Sequence, residues 1–189
     1  VVFFTACDRK ESKTINMARA NWDTGYFHAE IYKIGLEKLG YEIPKLKDVK
    51  PGVFYVAAAA GDIDLWVNGW VKTQANYIDE TKGKVIPVGY VAKQGGLQGY
   101  LIDKKSAEKF NIKSVLDIKK HAKAFDANGD GKADMVACPP GWGCEKVITG
   151  HFNELKLGEF INPIKAEYSA SLAGAISRYK NGGSILYYT

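Results

Sequence analysis

Val53-Phe54-Tyr55-Val56-Ala57-Ala58-Ala59-Ala60-Gly61 leads, through Asp62, into Ile63-Asp64-Leu65-Trp66-Val67-Asn68-Gly69-Trp70. The first stretch reads as a helix and the second as a short strand whose end carries Asn68-Gly69-Trp70. Ahead of this pair, Asp23 or Thr24 is expected to cap a helix in which Phe27, Ile31 and Ile34 recur at i, i+4 and i+7 and Gly40 follows the end. Tyr41-Glu42-Ile43-Pro44 then predicts a strand, followed by a charged link, while residues 15–21 carry no signal. After Trp70 the pattern continues with a helix near Thr73–Thr81 and the apolar segment Val85-Ile86-Pro87-Val88. Helices alternating with short apolar strands predict an α/β chain with largely parallel sheets. Gln94-Gly95-Gly96-Leu97-Gln98-Gly99 loosens the backbone before Tyr100-Leu101-Ile102 resumes strand pattern, so the boundary between two lobes falls there. The expected organisation is residues 1–13 as leader end and tether, 14–98 as lobe I, and 99–189 as lobe II. In lobe II, Ser106–Phe110 and Val115–Ala124 read as short helices, and Leu172, Ala175, Ile176 and Tyr179 have helical spacing before Gly182-Gly183.

The 189 residues hold 26 Lys+Arg against 21 Asp+Glu, a net charge of +5, with 46% hydrophobic and 25% charged residues. That is globular composition, and it excludes a disordered tail, a collagen-like repeat and a multispanning membrane protein. Basic and acidic residues interleave, as in Lys45, Lys47, Asp48 and Lys50, so no nucleic-acid-binding stripe forms. Val1-Val2-Phe3-Phe4-Thr5-Ala6-Cys7 is too short to span a bilayer, and it runs straight into Asp8-Arg9-Lys10-Glu11. It looks like the end of a secretory signal with a lipobox, which makes Cys7 the lipidated residue and residues 8–13 a tether. The alternative is a buried first strand with an incidental cysteine. At the other end, Gly182-Gly183-Ser184 precedes Ile185-Leu186-Tyr187-Tyr188-Thr189, a turn and a buried strand, so more chain is expected beyond it.

Residues 125–144 hold the densest chemistry. Asp126, Asn128, Asp130 and Asp134 stand at positions 1, 3, 5 and 9 of a calcium-type loop, with Gly131 at the sixth and the Lys132 carbonyl at the seventh. Ala137 occupies the twelfth, where a bidentate Glu belongs. Either another carboxylate completes a shell, or the loop is a self-satisfied Asx turn. Cys138 and Cys144 follow without a second pair at zinc spacing, and in an exported chain a disulfide is their natural reading. A redox pair is the alternative, although the usual spacing for that is Cys-x-x-Cys. The enclosed Pro139-Pro140-Gly141-Trp142-Gly143 would then be a stiff hairpin-like projection. Trp142, framed by glycines, and Trp70, at a strand end, are candidates for a cage that holds a quaternary ammonium group by cation–π attraction. The competing reading for each is a core aromatic.

The motifs Leu36-Glu37-Lys38-Leu39-Gly40-Tyr41, Val67-Asn68-Gly69-Trp70, Gln98-Gly99-Tyr100-Leu101-Ile102-Asp103-Lys104-Lys105 and Phe125 through Cys144 resemble the substrate-binding component of glycine betaine/proline betaine ABC importers. Ile176-Ser177-Arg178-Tyr179-Lys180 and Leu186-Tyr187-Tyr188-Thr189 extend the resemblance over residues 14–189. It implies a two-lobed α/β periplasmic-binding-protein fold of type II, with its C-terminal part beyond Thr189. It implies that Trp70 and Trp142 are two walls of an aromatic box, with a third tryptophan expected after Tyr187-Tyr188-Thr189. It places the ligand carboxylate on the backbone N–H groups of Gly143 and Cys144, aimed by the Cys138–Cys144 disulfide. A further family donor, often His, falls at Gln74, and Trp22 is a substitute wall or a core aromatic. The implied protein is an exported monomer, periplasmic or lipid-anchored through Cys7, that needs no cofactor and passes its ligand to a membrane permease.

Choline, carnitine or another methylated amine would suit the same cage. Two other classes are a surface enzyme using Cys138, Cys144 or one of His28, His121 and His151, and a calcium-dependent surface module built on the Asp126 loop. The sequence holds no nucleophile elbow and no P-loop.

Overall fold

The computed structural model describes residues 13–93 and 95–189, so Cys7 and the proposed leader lie outside the described residues. The chain forms β1 (Met17–Ala20), α1 (Asp23–Lys38), β2 (Lys47–Val49), α2 (Pro51–Ala60), β3 (Leu65–Trp66) and α3 (Ala75–Glu80). It continues through β4 (Tyr100–Ile102), α4 (Lys104–Phe110), α5 (Ile118–Phe125), β5 (Ala133–Val136), α6 (Gly143–Glu154), β6 (Ile161–Ile164), α7 (Tyr168–Lys180) and β7 (Leu186–Tyr188). Two sheets result, with strand orders β2-β1-β3 and β4-β7-β5-β6. All pairings are parallel except β4 with β7. Among the described residues no helix is long and apolar enough to cross a membrane.

The centre of the first sheet is the segment that carried no sequence signal. Met17 on β1 packs with Ala29, Ile43, Leu46 and Val67, while Ala18 packs with Phe54, Tyr55 and Ile63. A strand covered on both faces shows no alternation, and alanine is a poor strand former, so neither pattern nor propensity marks it. Its partner β2 lies in the expected charged link. Lys47 and Asp48 tolerate that place because β2 is an edge strand, and the Asp48 carboxylate accepts from the Arg19 guanidinium, which also meets Glu30 at 3.1 Å. The expected strand at Tyr41–Pro44 is reduced to one bridge between Thr14 and Glu42. Pro44 has no N–H to extend it. Residues 85–88 form no strand either, and Ile86 and Val88 are 69% and 75% exposed.

Helix α1 forms where the spacing predicts it, but its packed face is a different one. Its N-cap is Trp22 with no side-chain cap bond, so Asp23 sits inside the first turn and neither Asp23 nor Thr24 caps. Gly25 and Ala29 are its buried residues, whereas Phe27, Ile31 and Ile34 point to solvent. The reason is proximity: a Cβ on Gly25 would lie 2.7 Å from the Ala20 Cβ, so only small residues fit against β1.

The second sheet is built on Ile118, Phe125, Met135, Ile148, Leu157, Ile161 and Leu186, all nearly inaccessible. Neither β5, β6 nor α6 was expected. The Cys138–Cys144 segment is not a hairpin-like projection: Gly143 opens α6 directly. Arg178 on α7 donates to the carbonyls of Ala124, Phe125 and Asp126, which closes the C-terminus of α5 and starts the 126–134 loop.

That loop is hydrogen-bonded within itself. Asp126 accepts from the N–H groups of Asn128, Gly129 and Gly131, Asp130 from Lys132 N–H, and Asp134 from Ala127 N–H. These N–H donors hold the carboxyls of Asp126 and Asp130 below the ordinary carboxylate range. A carboxylate whose pKa is lower folded than unfolded adds stability above its unfolded value and loses it as pH falls through the folded one. Thermal unfolding should therefore be insensitive to pH from neutrality down to about 5 and should weaken below about 4. Asp126→Asn should lower the melting temperature by roughly 2–4 °C at pH 7 and flatten that acid slope. An unchanged slope in the variant would remove the loop from the acid response.

Candidate functional site

The carboxyl ends of β1, β3, β5 and β7 converge. β1 runs into Asn21-Trp22, β3 into Asn68-Gly69-Trp70, β5 into the disulfide loop, and β7 ends at Tyr188. Between them lies a cavity of about 340 Å³, lined by Trp22, Asp23, Thr24, Trp70, Thr73, Gln74, Gln98, Cys138, Trp142, Gly143, Cys144, Tyr168, Ser169, Tyr188 and Thr189. The cleft outside the carboxyl ends of strands is where open α/β sheets take ligands. The sequence candidates Trp70, Trp142, Gly143, Cys144, Gln74 and Trp22 all border this one cavity. Cys138 and Cys144 are joined in a disulfide with Cα atoms 6.0 Å apart. The calcium-type residues Asp126, Asn128, Asp130, Lys132 and Asp134 are not part of it.

Each of the three cavity tryptophans has a polar handle. The Trp142 ring lies 5.1 Å from that of Trp22 and 5.5 Å from that of Tyr168, and its Nε1 donates to Asn21 Oδ1 at 3.0 Å. That hydrogen bond joins the second sheet's loop to the first sheet. Trp22 and Trp70 both donate to Asn68 Oδ1. Gly96, in the glycine segment, rests on the Trp70 ring, since a Cβ there would lie 3.3 Å from Cζ3.

The lining also holds hydrogen-bond donors. Trp142 is the N-cap of α6, so Gly143 and Cys144 are its first two residues and their N–H groups have no partner within the helix. A helix N-terminus with free N–H groups favours an anion. Gln74 is 2% exposed, and its Oε1 accepts from the Tyr55 hydroxyl at 3.0 Å. Burial pushes the Tyr55 phenol up to about 12, so it remains a donor at neutral pH. The Gln74 carbonyl is thereby committed, and its NH2 group is the half that can donate. On the far side, the Ser169 hydroxyl donates to Asp23 at 3.3 Å, a second contact between the sheets.

Sequence reasoning missed Asn21, Asn68, Asp23, Thr73, Gln98, Tyr168, Ser169 and Tyr188. The asparagines had a signal, since each stands one or two residues before a tryptophan at a predicted strand or helix boundary. Tyr168 and Ser169 come from the start of α7, far from any motif, and only the fold brings them in.

Residues 13–189 match the OpuAC family, described as the substrate binding domain of the ABC-type glycine betaine transport system. The chain belongs to this family. It is 37% identical over 180 residues to the glycine betaine/proline betaine-binding periplasmic protein of Escherichia coli (strain K12), covering 93% of this chain and 54% of that protein. It thus spans about half the length of the curated relatives it matches. Among solved structures, the glycine betaine, L-proline-binding protein of Borrelia burgdorferi superposes with a TM-score of 0.78 at 22% identity, covering 93% of this chain and 62% of that one. An ABC-transporter choline binding protein in complex with choline gives 0.70 at 21% identity, with coverages of 94% and 60%. These two likenesses establish the two-lobed binding-protein fold. OpuAC domains bind substrates and are not enzymes, which removes the surface-enzyme reading. The three histidines have structural contacts instead: His28 with Asn68, His151 with the Tyr100 hydroxyl, and His121 stacked on Phe110.

The close approach of the two halves beside the cavity requires a glycine at position 143. A Cβ there would lie 2.5 Å from the Thr73 carbonyl oxygen. Gly143→Ala should either part the two sheets, seen as a larger radius of gyration in small-angle scattering, or cost about 1–3 kcal/mol in urea unfolding. A variant matching the parent in both measurements would contradict this geometry.

Proposed function

We propose that the protein is the extracytoplasmic ligand-capturing component of an ABC importer for glycine betaine or proline betaine. The observation that carries this reading is that one cavity is lined both by Trp22, Trp70 and Trp142 and by the first residues of α6. A quaternary ammonium group cannot donate a hydrogen bond, so ring faces are its natural partners, each contributing about 0.5–2 kcal/mol. The carboxylate of a betaine would meet the N–H groups of Gly143 and Cys144 and the neutral Gln74 amide. Lobe I (14–98) and lobe II (99–189) would hinge about residues 95–99 and close on the ligand. The protein would act as a monomer, would deliver its ligand to a membrane permease and would take no part in nucleic-acid binding. It would reside in the periplasm or on the outer face of the cytoplasmic membrane.

Choline or a related methylated amine is the second reading. Asp23 places a carboxylate on the cavity wall, and among the described residues no Lys, Arg or His lines it. This balance suits a ligand of net positive charge. We propose no cofactor: the 126–134 loop serves as a self-closed turn, its oxygens engaged by its own N–H groups rather than by calcium.

Tryptophan fluorescence of the full-length protein, stripped with chelator, should change saturably on titration with glycine betaine. Trp142→Ala should weaken binding by roughly 10-fold or more. Tighter binding of choline would shift the assignment to the second reading, and a flat response to both ligands in folded protein would sink the quaternary-amine account. Calcium should leave the titration unchanged.

The lipid anchor proposed at Cys7 rests on Thr5-Ala6-Cys7 alone. Cells expressing the full gene product should incorporate labelled palmitate into it, and Cys7→Ser should abolish that incorporation. Equal labelling of both forms would rule the anchor out.

A further inference from the structure

Asn68 occupies the turn after β3 with φ of +63°, in the left-handed region that asparagine and glycine tolerate. From there its Oδ1 accepts two indole protons, from Trp22 Nε1 at 2.8 Å and from Trp70 Nε1 at 3.1 Å. An indole nitrogen only donates, so two such neighbours determine which end of the amide faces them. The NH2 end then faces His28 Nδ1 at 2.7 Å. Because that end only donates, Nδ1 is the acceptor of this hydrogen bond. One side chain thus joins Trp22 before α1, His28 within α1 and Trp70 beyond β3.

We propose that Asn68 is a positioning residue that holds two walls of the aromatic cavity in fixed orientation, and that His28 sets the direction of its amide. Among the described residues neither ring has another polar tie, whereas Trp142 is held separately by Asn21. Without the amide, Trp22 and Trp70 lose the shared acceptor that fixes their planes. Cation–π attraction needs the ring face within about 6 Å of the cation, so rings free to turn would grip an ammonium group less well. This effect on affinity rests on the function proposed above, but the ring geometry does not.

The test uses Asn68→Gly, which keeps the left-handed backbone and removes only the amide, and Asn68→Asp, which restores an acceptor. In the 15N-labelled full-length protein, the indole N–H resonances of Trp22, Trp70 and Trp142 are assigned by single Trp→Phe substitutions. In Asn68→Gly, the Trp22 and Trp70 indole protons should move upfield and exchange faster with solvent, while Trp142 stays in place. Asn68→Asp should return both toward their original positions. His28→Phe, which removes the acceptor for the amide, should shift the same two resonances by a smaller amount. Glycine betaine affinity should fall by roughly 10-fold in Asn68→Gly and recover to within about 3-fold in Asn68→Asp. Unmoved Trp22 and Trp70 resonances in Asn68→Gly would overturn the proposal, as would moved resonances with affinity unchanged, and unmoved resonances in His28→Phe would remove His28 from it. If the parent protein binds no quaternary amine, the functional reading fails, and the indole resonances still decide whether Asn68 positions the rings.

Discussion

The backbone at Gly143 meets the Thr73 carbonyl closely enough that no side chain fits between them, and the cavity depends on that approach. Thr73 precedes α3 in the first sheet's half of the molecule, and Gly143 opens α6 in the second. Their contact brings the free N–H groups of one helix start beside Gln74, and it brings Trp142 within reach of Asn21 and Trp22. Nearby, Lys146 of α6 lies 4.5 Å from the centre of the Tyr77 ring of α3, a further tie across the same seam. The seam is small and mixed in character, the kind of interface across which relative lobe motion is the default expectation.

Rigidity is concentrated where the seam needs it. The Cys138–Cys144 disulfide closes the loop that leads from β5 into α6, so Trp142 and the helix start move as one piece. On the first sheet, Asn68 and Tyr55 do similar work, one holding two indoles and the other fixing the Gln74 amide. The three cavity tryptophans and Gln74 are therefore held by neutral hydrogen bonds. Among the described residues, Asp23 is the only charged one that lines the cavity, and it already accepts from Ser169 across the cleft. Such a lining can accommodate a zwitterion or a cation without first breaking a salt bridge.

The fold was legible where periodicity and turn residues coincide. Helix α2 with its left-handed Gly61, α1 with Gly40, and the strand before Thr189 all follow from local pattern. It was illegible where burial is two-sided or residues are small: β1 hides in Met-Ala-Arg-Ala, and the packed face of α1 is Gly25 and Ala29 rather than Phe27, Ile31 and Ile34. Charge was misleading at β2, because an edge strand tolerates Lys47 and Asp48. The tryptophans and the glycine-framed loop pointed to the cavity because large aromatics beside glycines lack local packing partners. Tyr168 and Ser169 could not be found this way, since they reach the cavity only through long-range contacts. The second asparagine, Asn68, was visible as a neighbour of Trp70, but its shared hydrogen bonds required the approach of α1.

The account's central claim is that a quaternary ammonium ligand lies in this cavity with its cationic end on the rings and its other end at the α6 start. A crystal structure of the full-length protein grown with glycine betaine tests it most directly. The account predicts the trimethylammonium group within about 6 Å of the Trp70 and Trp142 ring centres. It also predicts a carboxylate oxygen in hydrogen-bonding reach of the Gly143 and Cys144 N–H groups. A ligand bound elsewhere, or one reversed so that its carboxylate faces the rings, would contradict it.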